Sequence, residues 1–176
     1  ARTLTVPVSI NGGVWFPDGR RLLVTGTEAG HRSRLYVVDL EGGAPRPITP
    51  EGARLQSALS PDGGSVAATI EGDAARIFPI EGGEPRAIPG IGQDDDILSW
   101  SDDGRSLFVA RRAALPVRIQ RLDLDTGQKI PWKDLLPADT AGLTDIGFIN
   151  LSADGRSYVY SFRRVLSTLY LAEGLR

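Results

Sequence analysis

Four copies of one short motif constrain this chain more than any other feature. "FPDGR" at residues 16–20 returns as "SPDGG" at 60–64, "SDDGR" at 101–105 and "SADGR" at 152–156. Their aspartates, Asp18, Asp62, Asp103 and Asp154, lie 44, 41 and 51 residues apart. That is the period of a four-stranded propeller blade and not of a helical solenoid. One bulky residue precedes each copy: Trp15, Leu59, Trp100 and Leu151. After each glycine, apolar residues alternate as in a half-buried strand, so that Leu22 and Val24, Val66 and Ala68, Leu107 and Val109, and Tyr158 and Tyr160 share a face.

Read alone, any one of these aspartates looks like a catalytic or metal-binding carboxylate on a loop. Read as a set, they mark hairpin corners. Proline fixes φ at the first turn position, aspartate can bond to the backbone two residues on, and glycine takes the left-handed conformation that ends the turn. Asp18 with Gly19, Asp62 with Gly63, Asp103 with Gly104 and Asp154 with Gly155 are therefore structural turn positions. Blades spread around an axis also keep such corners apart, which argues against one shared ion.

Each copy continues into a third strand, "RLYVVDL", "ARIFPI", "RIQRLDL" and "TLYLAEG". The turns "EGGAPRPI" and "EGGEPRAI" then lead to a fourth strand, with glycine pairs supplying positive φ, and Gly127 serves that purpose in the third copy. The last copy stops after its third strand, while the first is preceded by "RTLTVPV", which aligns with the fourth strands. The expectation is an all-β propeller in a single domain, residues 1–176. It has four recognisable four-stranded blades at approximately 11–52, 53–93, 94–143 and 144–176, with 1–10 as the strand that closes the last one. The same strands allow two chains to exchange N-terminal strands in an eight-bladed ring, or to form part of a larger propeller. A four-bladed ring crowds its axis, which favours a ring wider than one chain provides. The insertion at 131–143 is the best candidate for a short helix, and its Trp132, Leu135 and Leu136 read equally as local core or as a contact patch. Trp15 and Trp100 are expected between sheets.

At the four motif copies the chain resembles the TolB-like (WD40-like) β-propeller repeat family, whose signature is a strand, then Ser-Pro-Asp-Gly-Arg/Lys, then an apolar strand. Residues 60–63 carry that core intact, and the resemblance runs over essentially the whole sequence. The closing segment "DGRSYVYSFRRVLSTLYLAEGLR" further resembles the end of propellers attached to bacterial serine/threonine kinases or winged-helix regulators. On that analogy Arg176 lies near a natural C-terminus and further segments precede Ala1. The absence of any methionine agrees with a processed chain or a piece of a longer one. The resemblance implies a binding or sensing module, extracytoplasmic in the periplasmic sense, that presents its face loops to proteins or ligands. The alternative it implies is a gating or substrate-binding propeller portion of a peptidase-type enzyme.

Composition removes several function classes. A formal net charge of -2 gives no basic field to draw in nucleic acid or anionic membrane. Without cysteine there is no disulfide, thiolate zinc site or thiol nucleophile, and the redox compartment stays open. No apolar run approaches the length of a membrane helix, and no signal segment opens the chain. His31 is the one histidine, with no G-x-S-x-G or H-E-x-x-H to accompany it, and reads as a solvated loop residue. "LDLDTG" at 122–127 spaces carboxylates like a calcium loop but lacks the later glutamate, so it reads as a hairpin. No catalytic residue, metal ligand or cofactor is expected.

The candidate binding residues are instead on the loops of one propeller rim: Arg32, Arg54, Asp94, Asp95, Asp96, Arg111, Arg112, Arg163 and Arg164, near Glu28, His31 and Arg34. Arginine pairs facing an acidic triplet suit a charged peptide or an anionic ligand, because guanidinium groups make bidentate contacts. The expected partner is a protein or peptide, with a homodimer through N-terminal strand exchange as a further option. Nucleic acid and direct membrane insertion are not expected.

Overall fold

The computed structural model describes residues 7–92, 94–112, 114–152 and 154–168, and every regular element in them is a strand. β1 (Ser9–Trp15), β2 (Arg21–Thr27), β3 (Arg34–Asp39) and β4 (Arg46–Pro47) form the first antiparallel sheet, in chain order. β5 (Ala53–Leu59), β6 (Ser65–Ile70), β7 (Arg76–Pro79) and β8 (Arg86–Ala87) form the second. The third contains β9 (Asp95–Trp100), β10 (Ser106–Arg111), β11 (Val117–Asp123) and β12 (Lys129–Leu135), and the fourth pairs β13 (Leu143–Leu151) with β14 (Tyr158–Arg164). The protein is thus built of several small antiparallel sheets, three of four strands and one of two among the described residues, and not of four uniform blades. All of the third strand expected at "TLYLAEG" except Thr168, and most of the closing segment "RTLTVPV", lie outside the described residues. Ser9 and Ile10, assigned by the sequence to the closing strand, belong to β1, where they pair with Thr27 and Gly26.

The repeated motif forms the corner between the first two strands of every sheet. Gly19, Gly63, Gly104 and Gly155 have φ of 66°, 70°, 66° and 65°, values that only glycine adopts without strain. In the last three copies the serine hydroxyl donates to the aspartate at 2.5–2.6 Å and accepts from the amide five residues on. Each carboxylate also takes a backbone N–H two residues on, at 2.8–3.0 Å. Phe16 stands where the first copy lacks serine, and the Arg21 guanidinium replaces the missing donor, 2.7 Å from Asp18 and 4.5 Å from the Phe16 ring centroid.

The sheets stack face to face in chain order. Leu23, Leu35 and Val37 of the first meet Val66, Ala68 and Phe78 of the second. Ala58, Ala67 and Ile77 of the second meet Ile97, Leu107, Val109 and Leu122 of the third. Phe108, Ala110 and Ile119 of the third then meet Ile146, Ile149 and Leu151 of the fourth. The two middle sheets are consequently covered on both sides. Val66, Ala67 and Ala68 are all fully buried, so the half-buried alternation read from the sequence is corrected: the outward-looking positions are small or apolar because another sheet covers them.

Two further expectations are corrected. The 131–143 segment is not helical, since Lys129–Leu135 is β12, paired with β11. A bulge there leaves Trp132 as the extra residue, and its ring packs edge-on to Phe108 and Tyr158 at 5.3 and 6.0 Å. Leu135 is buried with it, and Leu136 is exposed. Trp100 lies between sheets as expected, donating its indole N–H to the Ala58 carbonyl of the second sheet at 2.8 Å. Trp15, at the equivalent position of the first sheet, is 61% exposed, because no described sheet precedes it.

Trp100→Ala should cost about 3–5 kcal/mol, while Trp15→Ala in dilute protein should change stability by less than about 0.5 kcal/mol. Urea unfolding followed by circular dichroism checks both. The corner carboxylates are held below the ordinary aspartate range, Asp62, Asp103 and Asp154 chiefly by their serine hydroxyls and Asp18 chiefly by the Arg20 amide. A carboxylate favoured in the fold adds stability that is present above its ordinary pKa and lost as the pH falls through the depressed one. Stability should therefore drop below about pH 4. Asp62→Ala should cost about 1 kcal/mol at neutral pH and flatten that acid dependence.

Candidate functional site

The inner strand of every sheet is irregular in the same place, and the four irregular stretches surround one cleft. The pairing register slips between Ile10 and Gly12 in β1, Ala53 and Ser57 in β5, Ile97 and Ser99 in β9, and Ile146 and Ile149 in β13. Bulges of this kind release residues from the ladder and re-aim their side chains. The cleft, about 730 Å³, is lined by residues 11–14 of β1, Gln56 and Ser57 of β5, Ile97 and Leu98 of β9, and residues 147–150 of β13. All of these fall just before the bulky residue that precedes each motif. The cleft therefore runs where the four inner strands converge, within the size range of small-ligand sites.

Its polar groups come from different sheets. The side-chain amides of Asn11, Gln56 and Asn150 line it and have no hydrogen-bond partner among the described residues. Phe148, 66% exposed, adds an aromatic face. At the rim, Arg112 bonds through Nε to the Asp96 carboxylate and through Nη1 to the carbonyls of Ile146 and Gly147 at 2.7 and 2.5 Å. One guanidinium thus ties the third sheet to the fourth.

The rest of the expected rim is similarly occupied with pairing. Asp95 is buried, bonded to the Lys129 ammonium and the Gly92 amide, with Arg111 3.5 Å from its other oxygen. Arg32 reaches Glu71 at 3.4 Å, and His31 and Arg34 reach Glu51 at 2.8 and 3.3 Å, so the first sheet is linked to the second. Hydrogen bonding from His31 and the Arg32 amide lowers the Glu51 pKa. Arg164 bonds to Asp139 at 2.7 Å and lies over the Phe162 ring. Arg54 is exposed on β5. Asp94 and Arg163 are exposed, and their side chains have no ionic partner among the described residues. The structure therefore joins Asp95 to Arg111 and Asp96 to Arg112, and keeps Arg163 and Arg164 separate on β14.

The sequence reading found the rim charges but missed their structural partners Lys129 and Asp139, and it missed the cleft. A signal for the cleft was present: residues two to four before each bulky position read Asn-Gly-Gly, Leu-Gln-Ser, Asp-Ile-Leu and Gly-Phe-Ile and do not repeat. Among the described residues no three His, Cys, Asp or Glu side chains gather in a way that could hold a metal ion.

No family model matches the chain, and no curated protein matches it. Solved structures do. TolB from Acinetobacter baumannii superposes with a TM-score of 0.66 at 22% identity, over 91% of this chain and 39% of its own. A protein assigned as TolB from Agrobacterium tumefaciens gives 0.63 at 21% identity, over 94% and 64%. An oligogalacturonate lyase in complex with manganese gives 0.53 at 18% identity, over 83% and 50%. The fold is TolB-like. The chain spans less than two thirds of the length of each of these proteins.

Arg112→Ala should remove a charge-assisted link between two sheets and leave Asp96 and two carbonyls to rebind water, at a cost of about 1.5–3 kcal/mol. Chemical denaturation of the variant, with Arg111→Ala as the more exposed control, checks this.

Proposed function

We propose that this domain is a non-enzymatic interaction or sensor module that binds a protein segment or small charged ligand through its propeller-face loops, at the mouth of the axial cleft. The observation that supports it best is the set of carboxamides from three sheets, Asn11, Gln56 and Asn150, that line one cleft together with the Arg112 guanidinium. Groups that the fold does not use for itself are available to a ligand. The exposed guanidinium of Arg163, with Arg32 and Arg111 only partly engaged, favours a carboxylate-bearing ligand over a cationic one. The reading carries an extracytoplasmic setting with it, as the resemblance to TolB-like repeats implies.

A fluorescein-labelled, glutamate-rich short peptide provides the test by fluorescence anisotropy. Binding should weaken with added salt, as expected for contacts between exposed charges. Arg163→Ala should reduce affinity about fivefold, the worth of roughly 1 kcal/mol. Absence of binding, or binding indifferent to both salt and Arg163→Ala, would count against a charge-reading rim.

A further inference from the structure

Five times in this sequence an asparagine or aspartate stands directly before a glycine: Asn11–Gly12, Asp18–Gly19, Asp62–Gly63, Asp103–Gly104 and Asp154–Gly155. Such a pair is chemically weak, because a backbone nitrogen with no side chain beside it can reach the side-chain carbonyl carbon of the residue before. The motif corners protect four of the five. Each corner carboxylate is fixed by a backbone N–H two residues on and held below the ordinary aspartate range. An ionised, hydrogen-bonded carboxylate is a poor electrophile, so these pairs resist attack.

Asn11 has neither protection. It is the residue left over where the pairing of β1 with β2 slips, with Ile10 opposite Gly26 and Gly12 opposite Thr25, so nothing faces it across the ladder. Its carboxamide makes no hydrogen bond among the described residues. Gly12 is open as well: apart from its chain neighbours, no atom lies within 4 Å of where a side chain would begin, whereas Gly13 meets Leu23 and Val24 at 3.0 Å. The other asparagine, Asn150, lines the same cleft but is held differently. It pairs in register with Val159 and precedes a branched, buried residue, Leu151.

We propose that Asn11 is a site of spontaneous deamidation, which places a carboxylate in the cleft. The Gly12 nitrogen gives up its proton to solvent base and attacks Cγ of Asn11. The new C–N bond closes a five-membered imide, and the Cγ–Nδ2 bond breaks to expel ammonia, which takes up a proton. Water then opens the imide at either carbonyl, leaving aspartate or, with the chain continued through Cγ, isoaspartate. One amide is exchanged for one carboxylate, with water as the sole co-reactant. Arg112 is the one charged side chain among the described residues that line the cleft, and it is already bonded to Asp96 and two carbonyls. The new carboxylate therefore repels an acidic ligand at close range. That consequence rests on the carboxylate-bearing ligand proposed above, and it makes the affinity of the site fall as the molecule ages.

Trypsin digestion of the folded chain after incubation at mildly alkaline pH separates the two asparagines, Asn11 on residues 3–20 and Asn150 on residues 134–156. Mass spectrometry should find the acid form of the first accumulating at least about tenfold faster than that of the second, and faster still as the pH is raised. Isomerisation of Asp18, on the same peptide as Asn11, leaves the mass unchanged. Gly12→Ala adds a methyl group to open space and should keep the circular dichroism of the parent while slowing the conversion at least about tenfold. Equal rates at the two asparagines, or a Gly12→Ala chain that deamidates as fast as the parent, overturns the proposal. Asn11→Asp should weaken binding of the glutamate-rich peptide about threefold, and an unchanged affinity overturns the effect on the cleft. Failure of the parent chain to bind that peptide counts instead against the charge-reading rim, and the mass measurement still decides the deamidation.

Discussion

Each sheet in this protein depends on having another sheet against its face. The strands are short, and four of them cannot bury enough apolar surface in isolation to hold a sheet together. Stacking solves this by letting one side chain serve two sheets. Phe108 shows how: it is carried by the third sheet, packs into the core shared with the fourth, and is touched on its edge by Trp132. Ala67 shows the complementary requirement, since a fully buried alanine at the same repeated position leaves room for Trp100 to cross the junction. Large and small residues alternate between junctions, so each pair of sheets fits in its own way.

The motif corners and the charged links act at different scales around that core. A Ser-Asp-Gly corner satisfies its own polar groups within five residues, as three of the four copies do, and the Asp-Gly pair recurs in all four while the residues on either side of it vary. Phe16 breaks the pattern without breaking the corner, because Arg21 is near enough to take over the serine's bond. The links between sheets are longer-range. Arg46 reaches the Ile80 carbonyl of the second sheet at 2.6 Å, and Arg21 reaches Glu81 at 2.9 Å. Arg112 performs the same task between the third and fourth. Exposed ion pairs add little individually, but a guanidinium bonded to carbonyls of a neighbouring sheet fixes the angle at which two sheets meet.

Sequence reasoning recovers what is local and repeated. The corners, the strand after each corner and the hairpin at Gly127 follow from residue type and spacing, because turn chemistry is decided within a few positions. Trp15 was not legible in this way: it and Trp100 have the same local sequence context, and only the order of the sheets decides that one is covered. The strand at Lys129–Leu135 was hidden for a related reason. Pro131 and the bulge at Trp132 break the two-residue alternation, so the segment loses its strand signature while still pairing with β11. Asp95 also looked like an exposed member of an acidic run, and its burial depends on Lys129, which is 34 residues away.

The same contrast explains where a ligand site can sit on a repeated fold. A position buried between two sheets is under a packing demand, so it cannot be varied to suit a ligand without weakening the junction it fills. The bulged stretches of the inner strands escape that demand, because a residue out of the ladder no longer has a fixed cross-strand neighbour. Asn11, Gln56, Leu98 and Phe148 could diverge to an amide, another amide, an aliphatic chain and an aromatic ring while the corners beside them stayed alike. Four such stretches, brought to one axis by stacking, give a cleft whose chemistry is set sheet by sheet on a frame that does not change.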